Sequence, residues 1–105
     1  MADSEGIITL TDQNFTSTLE KGTMLVDFFA EWCGPCRTLS PILEKVAKDL
    51  KGKARIGKLN IDTEQKTAGQ FEVTSIPTLI LFKDGKEIKR IIGLTSEDKI
   101  KKLFE

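Results

Sequence analysis

The only two cysteines of this 105-residue chain, Cys33 and Cys36, enclose Gly34 and Pro35. Paired thiols at this spacing can bind a metal, form a structural bridge or exchange disulfides. A zinc site needs about four ligands, commonly Cys or His, and the chain has no histidine. A structural disulfide around so small a loop would stabilise the fold by only about 2 kcal/mol. Redox exchange is therefore the interpretation that the residues favour.

The cysteines lie where a long amphipathic helix is expected to begin. Apolar residues then follow the i, i+3, i+4 spacing of a helix, at Leu39, Ile42, Leu43, Val46, Ala47 and Leu50. Three residues apart on a helix, the two cysteines would share a face about 5–6 Å apart, which suits a disulfide, and Pro35 suits the first turn. Free N–H groups and the helix dipole favour a thiolate at Cys33, whereas Cys36 is expected to be more shielded. The pattern predicts that Cys33 attacks and Cys36 resolves.

Five strands and four helices are predicted around this helix. The strands are expected at 7–10, 24–30, 54–61, 78–82 and 87–92. The other helices are expected to be one of about ten residues capped by Thr11, one over 62–71 and one capped by Thr95. The nearly continuous apolar run 24–30 is typical of a central strand covered on both faces, and Asp84-Gly85 predicts a hairpin. The order indicates an α/β fold with a central mixed sheet of about five strands flanked by about four helices.

Length and charge exclude several classes of protein. A chain of this length predicts one domain over 1–105, with 1–6 as a short polar extension. Lys plus Arg equals Asp plus Glu at 16 each, so the chain lacks the basic excess of a nucleic-acid binder. No apolar run approaches the ~20 residues that would span a membrane, and the acidic start does not resemble a secretory signal. We expect a cytoplasmic monomer without nucleic-acid or membrane partners.

The segment from Val26 to Cys36 (VDFFAEWCGPC) resembles the signature of the thioredoxin family. Further segments occur in the family's order, namely Lys58-Leu59-Asn60-Ile61-Asp62, Ile76-Pro77-Thr78, Phe82-Lys83-Asp84-Gly85 and finally Gly93. The resemblance covers nearly the whole chain and implies the thioredoxin fold. One position departs from it, since many bacterial relatives carry tryptophan where this chain has Phe29.

The resemblance implies a protein-disulfide reductase that donates electrons to substrate proteins and maintains the redox balance of the cell. Cys33 would form a mixed disulfide with the substrate, and Cys36 would then attack Cys33 and release the reduced product. The implied partners are substrate proteins that bear disulfides and a flavoprotein thioredoxin reductase. No bound cofactor is expected.

Asp27 interrupts the apolar strand just before the cysteines. It is either an exposed edge-strand carboxylate or a buried one whose raised pKa lets it exchange a proton with Cys36. The resemblance places Asp27 beneath the active site and Lys58 close to it. The sequence alone favours a surface lysine at position 58, so the site role of Lys58 depends on the resemblance.

A docking surface for substrate is implied around the cysteine pair. The resemblance predicts a cis bond between Ile76 and Pro77 that faces the cysteines, although proline also suits the start of a strand. The surface would be flat and mostly apolar, and it would consist of Trp32, Gly34, Pro35, Ile76 and Gly93. The alternative for Trp32 is a place in the core.

Two other functions remain open at this point. The first is an oxidase or isomerase on the same fold, in which a different dipeptide between the cysteines stabilises the thiolate more strongly. Gly34-Pro35 argues against that alternative. The second is a binding module whose function would survive replacement of both cysteines.

Overall fold

The computed structural model describes residues 6–105, and it confirms the predicted α/β fold with five strands and four helices. The strands are β1 (Ile7–Leu10), β2 (Thr23–Phe29), β3 (Arg55–Asn60), β4 (Thr78–Lys83) and β5 (Lys86–Ile92). The helices are α1 (Phe15–Leu19), α2 (Gly34–Asp49), α3 (Gln65–Gln70) and α4 (Glu97–Leu103). Apart from Gly6, the predicted polar extension lies outside the described residues.

The strands form one mixed sheet in the order β1-β3-β2-β4-β5. Both β1 and β2 pair with β3 in parallel, whereas β4 is antiparallel to β2 and to β5. Strand β2 is therefore central, and its residues from Met24 to Phe29 are all buried. This confirms the strand covered on both faces that the apolar run predicted.

Successive side chains of β2 point to opposite faces of the sheet, so two apolar cores form. Leu25 packs with residues of α2 and α4, such as Leu43 and Ile100. Val26 packs on the other face with Phe15 of α1 and with other apolar side chains of that core. Asp27 lies two residues after Leu25 on β2, so its side chain points to the same face of the sheet. We call this face, which α2 and α4 cover, the α2 face.

The hairpin between β4 and β5 turns at Asp84 and Gly85, as predicted. Both residues have positive φ, 50° and 85° respectively. A two-residue turn with this geometry matches the right-handed twist of the paired strands. The Asp84 carboxylate also accepts a hydrogen bond from Gly22 N at 2.8 Å, which ties the turn to the start of β2.

The predicted helix after Thr11 is shorter than the expected ten residues, but Thr11 makes the capping bonds that were predicted for it. Thr11 Oγ1 accepts from Asn14 N at 3.0 Å, while Asn14 Oδ1 accepts from Thr11 N at 2.7 Å. These are the reciprocal bonds of a capping box, and Phe15 N also donates to Thr11 O at 3.0 Å. The continuous helix α1 nevertheless extends only from Phe15 to Leu19, with residues 12–14 forming the turn that leads into it.

The predicted capping of the last helix by Thr95 is wrong, by one residue. Ser96 is the N-cap of α4, and its Oγ accepts from Lys99 N at 3.3 Å. Thr95 Oγ1 is buried, and no described residue bonds to it. A side chain turned inward cannot cap the following helix, so the cap falls to the next hydroxyl.

Candidate active site

Cys33 and Cys36 form a disulfide at the N-terminus of α2, with their Cα atoms 5.3 Å apart. Cys33 is the N-cap residue, with extended backbone, and its Sγ accepts a hydrogen bond from Cys36 N at 3.2 Å. The sulfur thus takes the place of a Ser or Asn oxygen at a helix start. Pro35 lies in the first turn as predicted, where its missing N–H costs no helical bond.

The expected difference in shielding between the two cysteines is absent from this oxidised form. Cys33 is 4% exposed and Cys36 is 3% exposed. The disulfide holds both in one apolar cluster with Phe29 and Ala30, against which Ile76 packs. What distinguishes the sulfurs is the hydrogen bond and the helix terminus at Cys33, both of which stabilise a thiolate there.

Asp27 lies at the middle of β2, and it is 0% exposed. Its neighbours in register are Lys58 on β3 and Leu79 on β4. Neither carboxylate oxygen has a hydrogen-bond partner among residues 6–105. Burial raises the pKa of Asp27 to about 7, and the positive charge of Lys58 opposes this rise. The exposed edge-strand alternative for Asp27 is therefore wrong.

Lys58 links this carboxylate to the surroundings of Cys36. Its Nζ lies 4.8 Å from the centroid of the Phe29 ring, which is within the range of a cation–π contact. Lys58, Phe29 and Cys36 border a cavity of about 110 Å³. The cavity is also lined by Ala30, Glu31, Arg37 and Ser40. The cavity has room for a few water molecules beside Cys36. Phenylalanine at position 29 thus keeps an aromatic face for the lysine.

The residues expected to dock substrate fall into two groups. Trp32 is 66% exposed, so its core alternative is wrong, and its Nε1 donates to Asp62 Oδ2 at 2.9 Å. Ile76 packs against the cysteine cluster, and the bond between Ile76 and Pro77 is cis as expected. Pro77 itself is buried, and its carbonyl accepts from Gly93 N at 2.8 Å.

Sequence reasoning missed several polar residues near the site. The sequence presents Asp62 only as part of a family segment, and no local pattern predicts its bond to Trp32. Asp12 and Glu64 lie 52 positions apart and bond to each other. No local pattern predicts such a contact, because it arises only when the chain folds.

A mixed sheet whose central strand leads into a helix that begins with a Cys-x-x-Cys disulfide defines a class of protein, the thiol–disulfide oxidoreductases. Comparison with known proteins specifies the family. Residues 6–105 match the Thioredoxin family model. The chain belongs to the thioredoxin family, and it acts by dithiol–disulfide exchange.

Curated thioredoxins are similar to this chain over most of their length. A thioredoxin of Chlamydia pneumoniae is 55% identical over 89 residues, which cover 85% of this chain and 86% of the relative. A thioredoxin of Staphylococcus saprophyticus is 46% identical over 99 residues, covering 94% and 95%. One of Staphylococcus aureus is 44% identical over the same length and coverage. Family membership implies a reductase and disulfide-bearing substrates as partners in general.

Between residues 6 and 105, no helix has both the length and the apolar character that crossing a membrane requires.

Proposed function

We propose that this chain is a protein-disulfide reductase in which Cys33 is the nucleophile and Cys36 the resolving thiol. The observation that carries the proposal is the hydrogen bond from Cys36 N to Cys33 Sγ at the start of α2. A donor at this sulfur and the positive end of a 16-residue helix both stabilise the Cys33 thiolate. The Cys36 sulfur has no donor of this kind among the described residues.

The exchange consists of two displacements. The Cys33 thiolate attacks one sulfur of a substrate disulfide, forms a mixed disulfide and displaces the other substrate sulfur as a thiolate. Cys36 then loses its proton and attacks Cys33 Sγ, which forms the internal disulfide and releases the second substrate thiolate. Both released thiolates become thiols by taking up protons. Two electrons pass from the protein to the substrate, and the two sulfurs carry them without a bound cofactor.

Asp27 is the proton acceptor for Cys36 in this scheme, and Lys58 tunes it. A carboxylate with a pKa of about 7 can take up and return a proton near neutral pH, as a general base must. The charge of Lys58 keeps that pKa from rising further. The position of Lys58 beside the cavity at Cys36 supports its role in tuning Asp27.

Gly34 and Pro35 tune the redox potential. Pro35 has no N–H, so the first turn of α2 offers the Cys33 sulfur one donor fewer than another residue would. A less stabilised thiolate makes the dithiol a better reductant, and for this reason a reductase is favoured over an oxidase or isomerase.

Substrate docks on Trp32, Ile76 and Gly93 around the disulfide, and the buried Pro77 contributes through the cis bond that presents Ile76. The exposure of Trp32 and the packing of Ile76 against the cysteines support this assignment. The bond between Gly93 N and Pro77 O supports a common role for the two loops that carry them. An apolar surface of this kind would take an extended, disulfide-bearing segment of another protein.

The proposal extends to the domain, the location and the partners of the chain. The chain acts as a single domain over 1–105, as a cytoplasmic monomer, and a flavoprotein thioredoxin reductase restores its dithiol. Its balanced charge supports the absence of nucleic-acid and membrane partners. A redox titration against glutathione tests the direction of electron flow, because an oxidase or isomerase would equilibrate at a clearly higher potential.

Trapping experiments test the order of the two cysteines. Cys36→Ser removes the resolving thiol, so this variant should accumulate stable mixed disulfides with substrate proteins. Cys33→Ser should trap almost none. If iodoacetamide labels Cys36 before Cys33 in the reduced protein, the two roles are reversed. If a variant with both cysteines replaced still supplies the function that is lost when the protein is removed from the cell, the chain is a binding module.

A further inference from the structure

The loop between β1 and α1 is hydrogen-bonded to the start of α3. Asp12 Oδ1 accepts from Thr67 N at 2.9 Å and from Thr67 Oγ1 at 2.7 Å, and Asp12 Oδ2 accepts from Lys66 N at 3.4 Å. In return, Asp12 N donates to Glu64 Oε1 at 2.8 Å. We call Asp12, Glu64 and Thr67 the α3 clamp. It has the reciprocal bonds of a capping box, but its two halves lie more than 50 positions apart.

Helix α3 depends on this distant cap because it has no local one. Glu64 is its N-cap residue, and the Glu64 side chain makes no capping bond to the helix. The Glu64 side chain instead accepts a hydrogen bond from Asp12 N. The Asp12 carboxylate in turn accepts from the free N–H groups of the first turn of α3. Bonds from Thr67 lower the pKa of Asp12, so the carboxylate stays ionised and keeps these bonds at neutral pH.

From Glu64 a short chain of hydrogen bonds leads to the active site. Glu64 N donates to Asn60 O at 2.9 Å, and Asp62 N donates to Asn60 Oδ1 at 2.9 Å. Gln65 Nε2 at the start of α3 donates to Asp62 O at 3.0 Å. The loop between β3 and α3 is therefore folded upon itself, and Asp62 at its tip accepts from the indole of Trp32.

We propose that Asp12 is a positioning residue for substrate docking, which holds Trp32 in place through Glu64 and Asp62. The inference rests on the docking role proposed above for Trp32. This side chain is 66% exposed, so the core does little to fix its orientation. Its bond to Asp62 Oδ2 sets the position of the indole, and the α3 clamp holds the loop that carries Asp62.

Trp32 is the only tryptophan of the chain, so its fluorescence reports on this site alone. In Asp12→Ala, acrylamide should quench the oxidised protein about twofold more effectively, because the indole is less well held. Asp12→Asn keeps one carbonyl oxygen for Thr67 and should restore most of the wild-type behaviour. In a double-mutant cycle, Asp12→Ala should add no further quenching to Asp62→Ala, since both act through the same bond.

Kinetics separate positioning from stability. For a disulfide-linked peptide of about ten residues, Asp12→Ala should raise the half-saturating concentration roughly threefold to tenfold and leave the maximal rate within about twofold. The rate with oxidised glutathione should not change, because so small a disulfide needs little of the docking surface. Asp84→Ala is the control, since it also removes a carboxylate that accepts a hydrogen bond from a backbone N–H. That bond lies at the opposite end of β2.

The outcomes distinguish this inference from the proposed function. If Trp32→Ala reduces the peptide as well as wild type does, the docking role of Trp32 is wrong. If Trp32→Ala is impaired but Asp12→Ala matches wild type in quenching and kinetics, Asp12 does not position Trp32. Equal changes in Asp12→Ala and Asp84→Ala would also overturn the inference, because they would reflect a general loss of stability. Glu64→Ala should reproduce the effect of Asp12→Ala in a smaller degree.

Discussion

The α2 face of the sheet and the α3 clamp each hold an aspartate, and the surroundings of the two carboxylates are opposite. Asp27 is fully buried, and no described residue bonds to it, so its pKa rises to about 7. Asp12 accepts hydrogen bonds from Lys66 and Thr67, and its pKa is lowered, chiefly by the hydroxyl of Thr67. Burial without partners favours the neutral acid, whereas donors favour the anion.

The difference matches the two tasks that the proposed reaction sets. A group that carries a proton must be able to change its charge near the working pH, and it must therefore lack bonds that fix one form. A group that positions a loop must keep both its charge and its bonds. Asp27 accordingly reduces the stability of the fold at neutral pH, while Asp12 increases it.

The largest effect is expected from Asp27→Ala. The folded pKa of about 7 exceeds the ordinary value of 3.8, so the favourable contribution of Asp27 is complete below pH 3.8 and is lost as pH rises through 7. The full difference corresponds to about 4 kcal/mol. After the loss of packing, Asp27→Ala should be more stable than wild type at about pH 8 by roughly 2 kcal/mol. Urea melts of the oxidised proteins measure this difference.

The gain should disappear at about pH 4, and the resolving step should slow by about tenfold to a hundredfold at neutral pH. Val26→Ala, on the same strand but facing the other core, is the control and should lose stability equally at both pH values. A variant that is less stable than wild type at both pH values and equally fast would make Asp27 an ordinary structural carboxylate.

Lys58→Met should have the next largest effect. Removing the opposing charge raises the pKa of Asp27 above 7, which can be followed by the carboxyl ¹³C shift of Asp27 in the oxidised protein. The pH profile of the resolving step should move to higher pH by the same amount. Lys48→Met removes an equal charge from the last turn of α2, and it should leave the pKa of Asp27 unchanged. An unchanged carboxyl titration in Lys58→Met would show that the two groups are not coupled.

The smallest effect is expected for the stability of Asp12→Ala at acidic pH. Because the folded pKa of Asp12 is lowered, its contribution to stability is fully present above the unfolded value of 3.8 and is lost as pH falls through the lower folded pKa. Asp12→Ala should therefore be less stable than wild type at about pH 6, and this difference should shrink at about pH 3. The direction is opposite to that of Asp27→Ala. A difference that stays constant between these pH values would mean that the carboxylate charge is not involved.

Much of the site could be predicted from the sequence because its signals are local. The apolar run of β2, the spacing of the α2 residues and the Asp84-Gly85 turn each depend on near neighbours in the chain. They were enough to place Cys33 at the start of a helix and to locate five strands along the chain. Local signals were weaker at the start of α4, where the neighbouring hydroxyls of Thr95 and Ser96 compete for the same backbone groups.

The sequence by itself determined which groups could react and where along the chain they would lie, because thiol spacing and helix position are local properties. Only the tertiary structure decided what those groups meet. It left Asp27 without a hydrogen-bond partner among residues 6–105, buried both sulfurs to the same extent and brought Asp12 to the start of α3. Burial and long-range hydrogen bonds depend on segments up to 55 positions apart, and no stretch of sequence contains that information until the chain has folded.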